Sequence, residues 1–577
     1  MSVKTAAVRD FGAARVAGIA VLVSLFSFLY FLRHSDLLLY GDAVAHINIA
    51  RRVFDSRTPG LLQLGTVWLP LPHVLMIPFI WSNAMWQNGT GGSIPSMIAY
   101  VFGVVGIFRL VHGMLQAGFS KEAGNEACKN PAVGVGAWAA AFAYGANPNL
   151  IYMQAAAMTE SIYLALFIWS IVYFAEFICA LKENDRRENE AAAGRESSPR
   201  GANQISPALQ RRVGLTRCAW CLAGAELTRY DGWFLAGVMG AAVAVIALGR
   251  WQDYVLRRVA AKFLLGIALV PALWLAYNGV VYGNALDFAN GPYSAKAIEQ
   301  RVGAPNPALH HAGVAAIYFL KSAQLNMANG NWGRFWLAAA LMALIIAAWK
   351  LRAQSASLFL LWVPLVFYSF SIAYGSVPLH VYTWWPFATF NQRYGLQLLP
   401  MFAVSTGVLA ASVFLLGAGG RHVWKLVAVI LALAVGSYAS VWKAEPQCLA
   451  EARRNWVMRD PLNSAVQRVV TRLPRNSRFL MDLSEHVGIM EQAGIPLRQV
   501  VNNENHRVWK RPSDPEGLWE RALADPPRYV DFVITFDGDA VDQGANRTNL
   551  TELIEIHATG QPHARIYAAQ SAPNQSR

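Results

Sequence analysis

Residues 15–33 read RVAGIAVLVSLFSFLYFLR, and no charged residue lies between Arg15 and Arg33. An α-helix needs about 20 mainly apolar residues to cross the hydrocarbon core of a bilayer. The stretch therefore predicts a first membrane-spanning helix. Its length, and the lack of a small-residue cleavage site after it, argue against a signal peptide that is removed.

Ten further apolar stretches of comparable length follow. They cover residues 94–116, 132–151, 161–181, 213–229, 232–249, 262–281, 335–350, 356–374, 394–416 and 424–442. The composition agrees with a membrane protein, because 55% of the residues are hydrophobic and only 15% are charged, whereas an average soluble domain has about 25% charged residues. The sequence predicts a mainly α, polytopic membrane domain with about eleven spans over residues 1–443.

The positions of the basic residues predict the orientation of this domain. The formal net charge is +14, which in a soluble protein would suggest a nucleic-acid partner. Here the Lys and Arg residues cluster in loops between apolar stretches, at 117–131, 182–212 and 250–261. Loops rich in Lys and Arg stay on the cytoplasmic side of a membrane. We therefore expect a cytoplasmic amino terminus and no nucleic-acid partner.

Two segments of residues 1–443 are not counted as spans. Residues 66–86 are apolar but interrupted by prolines, and counting them would place the most basic loop outside. They belong to a long first outer loop, 34–93, and predict a broken helix at the membrane surface. Residues 183–210 are charged and rich in Ala, Ser and Gly, so we expect a disordered cytoplasmic linker there.

An odd number of spans places residues 444–577 on the outer side. Strand-like and helix-like segments alternate in this tail. The predicted strands are Phe479–Leu483, Val530–Phe536 and Ala564–Ala568, and the predicted helices are 449–472 and 515–524. A domain of this length is large enough to fold alone. The composition and the lack of an organelle signal favour a bacterial inner membrane, with this small α/β domain in the periplasm.

The first outer loop contains a polar motif, Tyr40-Gly41-Asp42-Ala43-Val44-Ala45-His46, and continues to Arg51. From Asp42 onward the pattern is helical, so Asp42 and His46 share one face of a helix. An acidic residue in the first turn is favourable for the helix dipole. Asp42 is therefore either a structural residue at the start of a helix, with His46 as a local partner, or a functional carboxylate at the outer surface.

Three more polar motifs lie near the outer ends of spans. They contain Glu160 at the start of the fourth span, Arg229, Tyr230 and Asp231 between the fifth and sixth, and Arg393 and Tyr394 at the start of the tenth. Ionisable groups at membrane depth are costly unless they are paired or functional. The structural alternatives are a helix cap for Glu160, internal pairing for Arg229 and interfacial anchoring for Arg393 and Tyr394.

These motifs resemble those of the GT-C superfamily of polytopic glycosyltransferases. The resemblance rests on Asp42 just after the first span, Ala50-Arg51 downstream, the aromatic and Pro-rich stretch Trp68-Leu69-Pro70-Leu71-Pro72, and Arg393-Tyr394 before a Leu-Pro run. The odd topology and the outer tail extend it to most of the chain. The superfamily includes protein O-mannosyltransferases, aminoarabinose transferases that modify lipid A, and oligosaccharyltransferases. In the O-mannosyltransferases the Asp is followed by Glu, whereas here Ala43 follows it.

The resemblance implies a GT-C fold and an inverting transfer of a sugar, hexosyl or mannosyl in type. The donor would be a dolichyl- or undecaprenyl-phosphate sugar and the acceptor a hydroxyl of a protein, lipid or glycan on the outer side. Asp42 would be the general base that takes the acceptor proton. Donor and acceptor binding would fall to His46, Arg51, Glu160, Arg229, Tyr230, Arg393 and Tyr394, with Arg393 pairing with the donor phosphate.

Two other functions remain open from the sequence. The first is a metal-dependent oligosaccharyltransferase-like or ligase-like enzyme with Asp42 and His46 as ligands, and a divalent-cation requirement would separate it from the main prediction. The second is a polytopic lipid transporter that is not an enzyme. Transporters usually show internal repeats or polar residues at mid-membrane, whereas the notable polar groups here lie at the outer ends of spans.

Overall fold

The protein is described here from a computed structural model, which describes residues 11–569 except 66, 124–129, 193–206, 303–304, 352–355, 376, 417–420, 485 and 504–516. The long helices form one bundle. Its helices and the short helices between them are α1 (Phe11–Arg33), α2 (Gly41–Arg52), α3 (Leu71–Met76), α4 (Asn83–Gln87), α5 (Thr90–Ala123), α6 (Pro131–Gly145), α7 (Pro148–Ala155), α8 (Glu160–Ala192), α9 (Pro207–Glu226), α10 (Asp231–Gly249), α11 (Tyr254–Tyr282), α12 (Asp287–Asn290), α13 (Ala295–Val302), α14 (Ala312–Met327), α15 (Gly333–Ile346), α16 (Ala356–Leu360), α17 (Val363–Tyr374), α18 (Leu399–Ser412) and α19 (Arg421–Lys443).

The protein is an integral, multi-pass membrane protein. Eight described helical segments are long and apolar enough to cross a membrane. Seven of these segments coincide with or overlap α1, α5, α8, α10, α11, α15 and α18, and the eighth, His422–Val470, covers α19 and continues into the first helix of the tail. A ninth apolar segment, Leu358–Tyr374, is shorter. The remaining two of the eleven predicted spans correspond to α6, which has 15 residues, and α9, which packs along α8. Spanning by α6 and α9 stays a prediction.

The structure differs from the sequence prediction in the linker and in one helix. The linker prediction is wrong for residues 183–192 and 207–210, because α8 continues to Ala192 and α9 begins at Pro207. The extension of α8 carries Asp185, which pairs with Arg250 at 2.7 Å. Residues 193–206 lie outside the described residues. Helix α14 was not predicted, because buried polar residues such as Lys321 and Asn326 interrupt its apolar pattern.

The proline-rich part of the first outer loop forms short helices, as predicted. Helices α3 and α4 are separated by a turn at 77–82, and both pack on α5. Pro70 and Pro72 lie at the start of α3, where a missing backbone N–H is tolerated, whereas Pro78 follows the end of α3, where its missing N–H and fixed φ do not favour continuation of the helix. The segment instead covers α2, the helix that carries Asp42.

The tail is the predicted small α/β unit. Its elements are α20 (Gln447–Val470), β1 (Phe479–Leu480), α21 (Val487–Ala493), β2 (Val500–Val501), α22 (Leu518–Ala524), α23 (Pro526–Tyr529), β3 (Phe532–Phe536), α24 (Ala540–Gly544), β4 (Leu550–Ile556) and β5 (Ala564–Ala569). The sheet order is β2-β1-β3-β5-β4. Strands β2, β1 and β3 are parallel, and β3, β5 and β4 are antiparallel. The three predicted strands are confirmed. Strand β2 has only two residues and β4 is mostly exposed, so neither gave a clear buried pattern.

The tail packs on one side of the bundle, called the tail side below. Helix α20 lies against α7, and α21 lies against α2. The ends of α1 and α7 and the short helices of the first outer loop therefore lie on the tail side. Residues that are distant in sequence meet there.

Two glycines allow α6 and α18 to pack closely inside the bundle. A Cβ added at Gly407 of α18 would lie 2.5 Å from the carbonyl oxygen of Gly136 and 2.8 Å from the Cβ of Ala140. Backbone atoms cannot move aside cheaply in a close-packed interior. The approach of these two helices therefore requires glycine.

We expect Gly407→Ala to lower the free energy of unfolding by roughly 1–3 kcal/mol, the usual cost of overpacking. The matched control is Gly436→Ala in α19, where no atom of the described residues would lie within 4 Å of an added Cβ. The control should be neutral or gain up to about 1 kcal/mol, because Ala favours a helix over Gly. Thermal unfolding in detergent measures both variants, and equal stability of the two would contradict the packing assignment.

Candidate active site

Asp42 lies in the first turn of α2 on the tail side. Tyr40 precedes the helix in extended conformation. The Asp42 side chain is 36% exposed, and its carboxylate accepts a hydrogen bond from Arg393. The helix start thus presents a carboxylate that is accessible on one side and paired with a guanidinium on the other.

Arg393 connects two carboxylates from different parts of the chain. It lies in a short 3₁₀ helix, Gln392–Leu398, that precedes α18. Besides binding Asp42, its Nε lies 3.3 Å from Oε1 of Glu160. The guanidinium also lies over the ring of Tyr40, with 4.9 Å to the centroid. Arg393 is therefore buried between α2, α8 and the residue before α2.

Arg229 extends the same network on the far side of Glu160. Its Nη1 lies 3.3 Å from Oε1 of Glu160, and its Nε donates to Oδ1 of Asp231 at 3.3 Å. Its Nη2 donates to the hydroxyl of Tyr368 at 3.0 Å, and that hydroxyl donates to Oδ2 of Asp231 at 3.0 Å. Tyr394 lies between the two guanidiniums, with its centroid 5.2 Å from Arg229 and 5.6 Å from Arg393.

These residues form the tail-side ion-pair cluster: Asp42, Glu160, Arg229, Asp231 and Arg393. Glu160 and Asp231 are almost completely buried, at 1% and 3% exposure. A buried charge is costly unless it is paired and hydrogen-bonded, and here each buried carboxylate has a guanidinium beside it. Asp42 is the member with the greatest exposure, so a ligand would reach the cluster at Asp42.

His46 has a partner that the sequence analysis missed. Its Nδ1 lies 2.9 Å from Nε2 of His73 on α3, and its ring lies 4.7 Å from that of Trp68. Burial, and then the charges of Arg393 and Arg229, lower the pKa of His46 to about 3. The imidazole is therefore neutral at physiological pH. The sequence held no signal for this pair beyond a histidine in the proline-rich stretch.

Two predicted site residues lie outside the cluster. Arg51 binds Asp55 at 2.8 Å and donates to the carbonyl oxygen of Ile80 and to Asn83, both at 2.6 Å. It thus anchors the segment between α3 and α4. Tyr230 accepts a hydrogen bond from Trp274 at 3.2 Å, and its ring stacks on Phe288. We therefore do not include Arg51 or Tyr230 in the site.

Potential metal ligands gather elsewhere. Within the part of the chain that the structure describes, one group of three side chains could hold a metal ion, and its members are Glu555, His557 and His563 at the β4–β5 hairpin. The guanidinium of Arg565 lies 2.8 Å from Glu555, so this exposed carboxylate already has a cation partner. Asp42 and His46 are not part of such a group among the described residues.

A helical membrane bundle with an α/β tail and a polar cluster on the same side has the architecture of the GT-C fold, as the sequence predicted. Two solved structures confirm the fold, both of ArnT from Cupriavidus metallidurans. The form bound to undecaprenyl phosphate matches with a TM-score of 0.52 and the apo form with 0.50, each at 12% identity. The matches cover 96% of this chain and 99% and 98% of ArnT.

A third structure, an oligosaccharyltransferase from Archaeoglobus fulgidus tethered with an acceptor peptide, matches with a TM-score of 0.47 at 11% identity. That match covers 97% of this chain and 74% of the other chain. No family model and no curated protein sequence matches this chain.

The face of α2 away from the cluster is held by the tail. Asn48 donates a hydrogen bond to the buried carboxyl group of Glu491 on α21, and Trp86 donates to the Asn48 side-chain oxygen at 3.0 Å. Burial raises the pKa of Glu491 to about 8. At neutral pH the folded protein therefore keeps a proton on Glu491 that the unfolded chain loses.

A raised carboxyl pKa makes stability fall as pH rises between the unfolded value, about 4.5, and the folded value. In this pH window the free energy of unfolding of the wild-type protein should fall by up to about 1.4 kcal/mol per pH unit. Glu491→Gln mimics the protonated side chain, so we expect this fall to be absent in the variant. We therefore expect the apparent melting temperature of Glu491→Gln to exceed that of the wild-type protein by a margin that grows as the pH rises from 5 to 8. Glu552→Gln, at an exposed residue of β4, is the control. A difference in melting temperature between Glu491→Gln and wild type that stays constant from pH 5 to pH 8 would contradict the raised pKa of Glu491.

Proposed function

We propose that the protein is a glycosyltransferase that moves a sugar from a polyprenyl-phosphate donor to an acceptor hydroxyl. The observation that carries the proposal is the arrangement around Arg393, where one buried guanidinium is bonded to an accessible carboxylate, Asp42, and lies beside a buried one, Glu160. A cation and a base are thus adjacent at the accessible edge of the cluster. The tail side would face the periplasm of a bacterial inner membrane, with residues 444–577 as a separate outer domain.

Arg393 would bind the donor phosphate, with Arg229 behind it. A guanidinium pairs with two phosphate oxygens at once, so a phosphate can take the place that the Asp42 carboxylate now holds. Glu160 would keep the two guanidiniums at a fixed spacing, because its Oε1 lies 3.3 Å from both. The ArnT structure with undecaprenyl phosphate has the same fold, which supports a polyprenyl-phosphate carrier here.

Asp42 would act as the general base once the phosphate has displaced it from Arg393. The acceptor oxygen attacks the anomeric carbon, the bond from that carbon to the phosphate oxygen breaks, and the polyprenyl phosphate leaves with the bonding electrons. The acceptor proton passes to the Asp42 carboxylate. A single displacement of this kind inverts the anomeric configuration. His46, which is neutral, and Tyr394 would line the sugar and acceptor side.

Asp42→Asn tests the role of the base. Because the amide cannot take a proton, we expect turnover to fall by about 10² to 10⁴-fold. The assay uses purified protein in nanodiscs and a panel of polyprenyl-phosphate hexoses labelled in the sugar, and it follows release of the sugar. Asp525→Asn, at an exposed residue of the tail, is the matched control. Thermal unfolding checks that both variants are folded.

Full activity of a folded Asp42→Asn protein would overturn the assignment of Asp42. No turnover by the wild-type protein with any donor of the panel would overturn the enzyme assignment and favour lipid transport.

Arg393→Lys tests whether Arg393 binds the donor phosphate. Lys keeps the charge but cannot pair with two oxygens, so we expect the KM for the donor to rise about tenfold or more, the loss of one charged hydrogen bond. Steady-state kinetics with varied donor concentration measures this. Arg468→Lys, at an exposed residue of α20, should leave the KM unchanged. An unchanged KM in Arg393→Lys would show that the phosphate binds elsewhere.

A further inference from the structure

Three polar residues of α20 share one face of the helix. Glu451, Asn455 and Arg459 are spaced four residues apart, so their side chains point in the same direction. Each of them hydrogen-bonds to backbone atoms next to the ion-pair cluster. None of the three belongs to the cluster itself.

Glu451 binds the backbone just before Arg393. One carboxylate oxygen accepts the N–H of Asn391 at 2.8 Å and the other accepts the N–H of Gln392 at 2.9 Å. Glu451 is only 4% exposed. Asn391 has a left-handed backbone, with φ of 56°, and the 3₁₀ helix with Arg393 begins directly after it. Hydrogen bonds to a carboxylate are about twice as strong as neutral ones, so Glu451 fixes the start of this helix.

Asn455 and Arg459 bind the backbone just before Asp42. The side-chain oxygen of Asn455 accepts the N–H of Gly41 at 3.3 Å. Nη2 of Arg459 donates to the carbonyl oxygen of Leu38 at 3.2 Å and lies 3.4 Å from that of Leu39. A Cβ at Gly41 would lie 2.8 Å from Nη1 of Arg459. The start of α2 therefore packs directly against α20.

We propose that α20 is a positioning helix, which sets the distance between the base Asp42 and the phosphate ligand Arg393. Glu451 places Arg393, and Asn455 with Arg459 places Asp42. This inference rests on the proposed function. It makes the first helix of the tail a part of the catalytic machinery through its geometry, although Glu451, Asn455 and Arg459 touch neither the donor nor the reacting atoms.

The two ends of this face should affect different kinetic constants. In Glu451→Gln one backbone N–H would face an amide NH₂ instead of an oxygen, so Arg393 shifts and the donor KM rises. In Asn455→Ala the start of α2 loosens, so Asp42 shifts and kcat falls while the donor KM stays near the wild-type value. A displacement of about 1 Å at a reacting group can cost about 100-fold in rate, so we expect changes of at least about tenfold.

Kinetics of the full chain in nanodiscs, with the labelled polyprenyl-phosphate donors, tests this split. Asp460→Asn is the control, because the Asp460 carboxylate accepts a hydrogen bond within α20 from Ser464. Glu451→Asp, which keeps the charge, should recover part of the donor affinity. Equal changes in kcat and KM for Glu451→Gln and Asn455→Ala, or wild-type kinetics in both, would overturn the proposal.

Hydrogen exchange by mass spectrometry tests the same contacts without any turnover. Glu451→Gln should speed exchange in peptides that cover 389–398 and leave 38–46 unchanged. Gly41→Ala should speed exchange in peptides that cover 38–46 and leave 389–398 unchanged, because the added Cβ would contact Arg459 at the other end of this face of α20. If wild-type protein shows no transferase activity but exchange follows this pattern, the proposed function fails while the positioning contacts stand. Unchanged exchange in both peptides would overturn the positioning role of α20.

Discussion

The burial of the Arg393 guanidinium between Asp42 and Glu160 is the constraint on which the tail side depends. A guanidinium inside a protein needs carboxylate partners, because its attraction to them must offset the loss of hydration. The partners come from α2 and α8, while Arg393 itself precedes α18. Electrostatic attraction is stronger where water is excluded, so these ion pairs fix three distant segments relative to one another. Arg229 then extends the fixed geometry to α10 through Asp231.

The surrounding structure keeps one side of this network accessible. The bundle buries Glu160 and Asp231, and the short helices α3 and α4 cover the back of α2. The tail supports α2 at two places, through α20 at its start and through Glu491 near Asn48. Asp42 is left with its carboxylate partly exposed. Under the proposed mechanism, a phosphate that competes for Arg393 would release the most accessible carboxylate of the cluster, and donor binding would thereby activate the base.

Local patterns predicted the bundle and the tail well. Long apolar stretches gave the spans, the prolines gave the break between α3 and α4, and short apolar segments gave strands β1, β3 and β5. Helix α14 was missed because polar residues that are buried in the structure, among them Lys321 and Asn326, interrupt its apolar pattern. The candidate residues Asp42, Glu160, Arg229, Arg393 and Tyr394 could be named from their position at span ends. Their pairing could not, because Arg393 and Asp42 are separated by 351 positions in the chain. Tyr368 and His73 carry no local signal and are found only through their contacts.

A structure of the protein with undecaprenyl phosphate, determined by cryo-electron microscopy in nanodiscs, tests the central claim most directly. The proposed mechanism predicts that the phosphate oxygens bind the Arg393 guanidinium and that the Asp42 carboxylate has left it to face the site of the sugar. A phosphate bound away from Arg393, with the pair between Arg393 and Asp42 intact, would contradict the account.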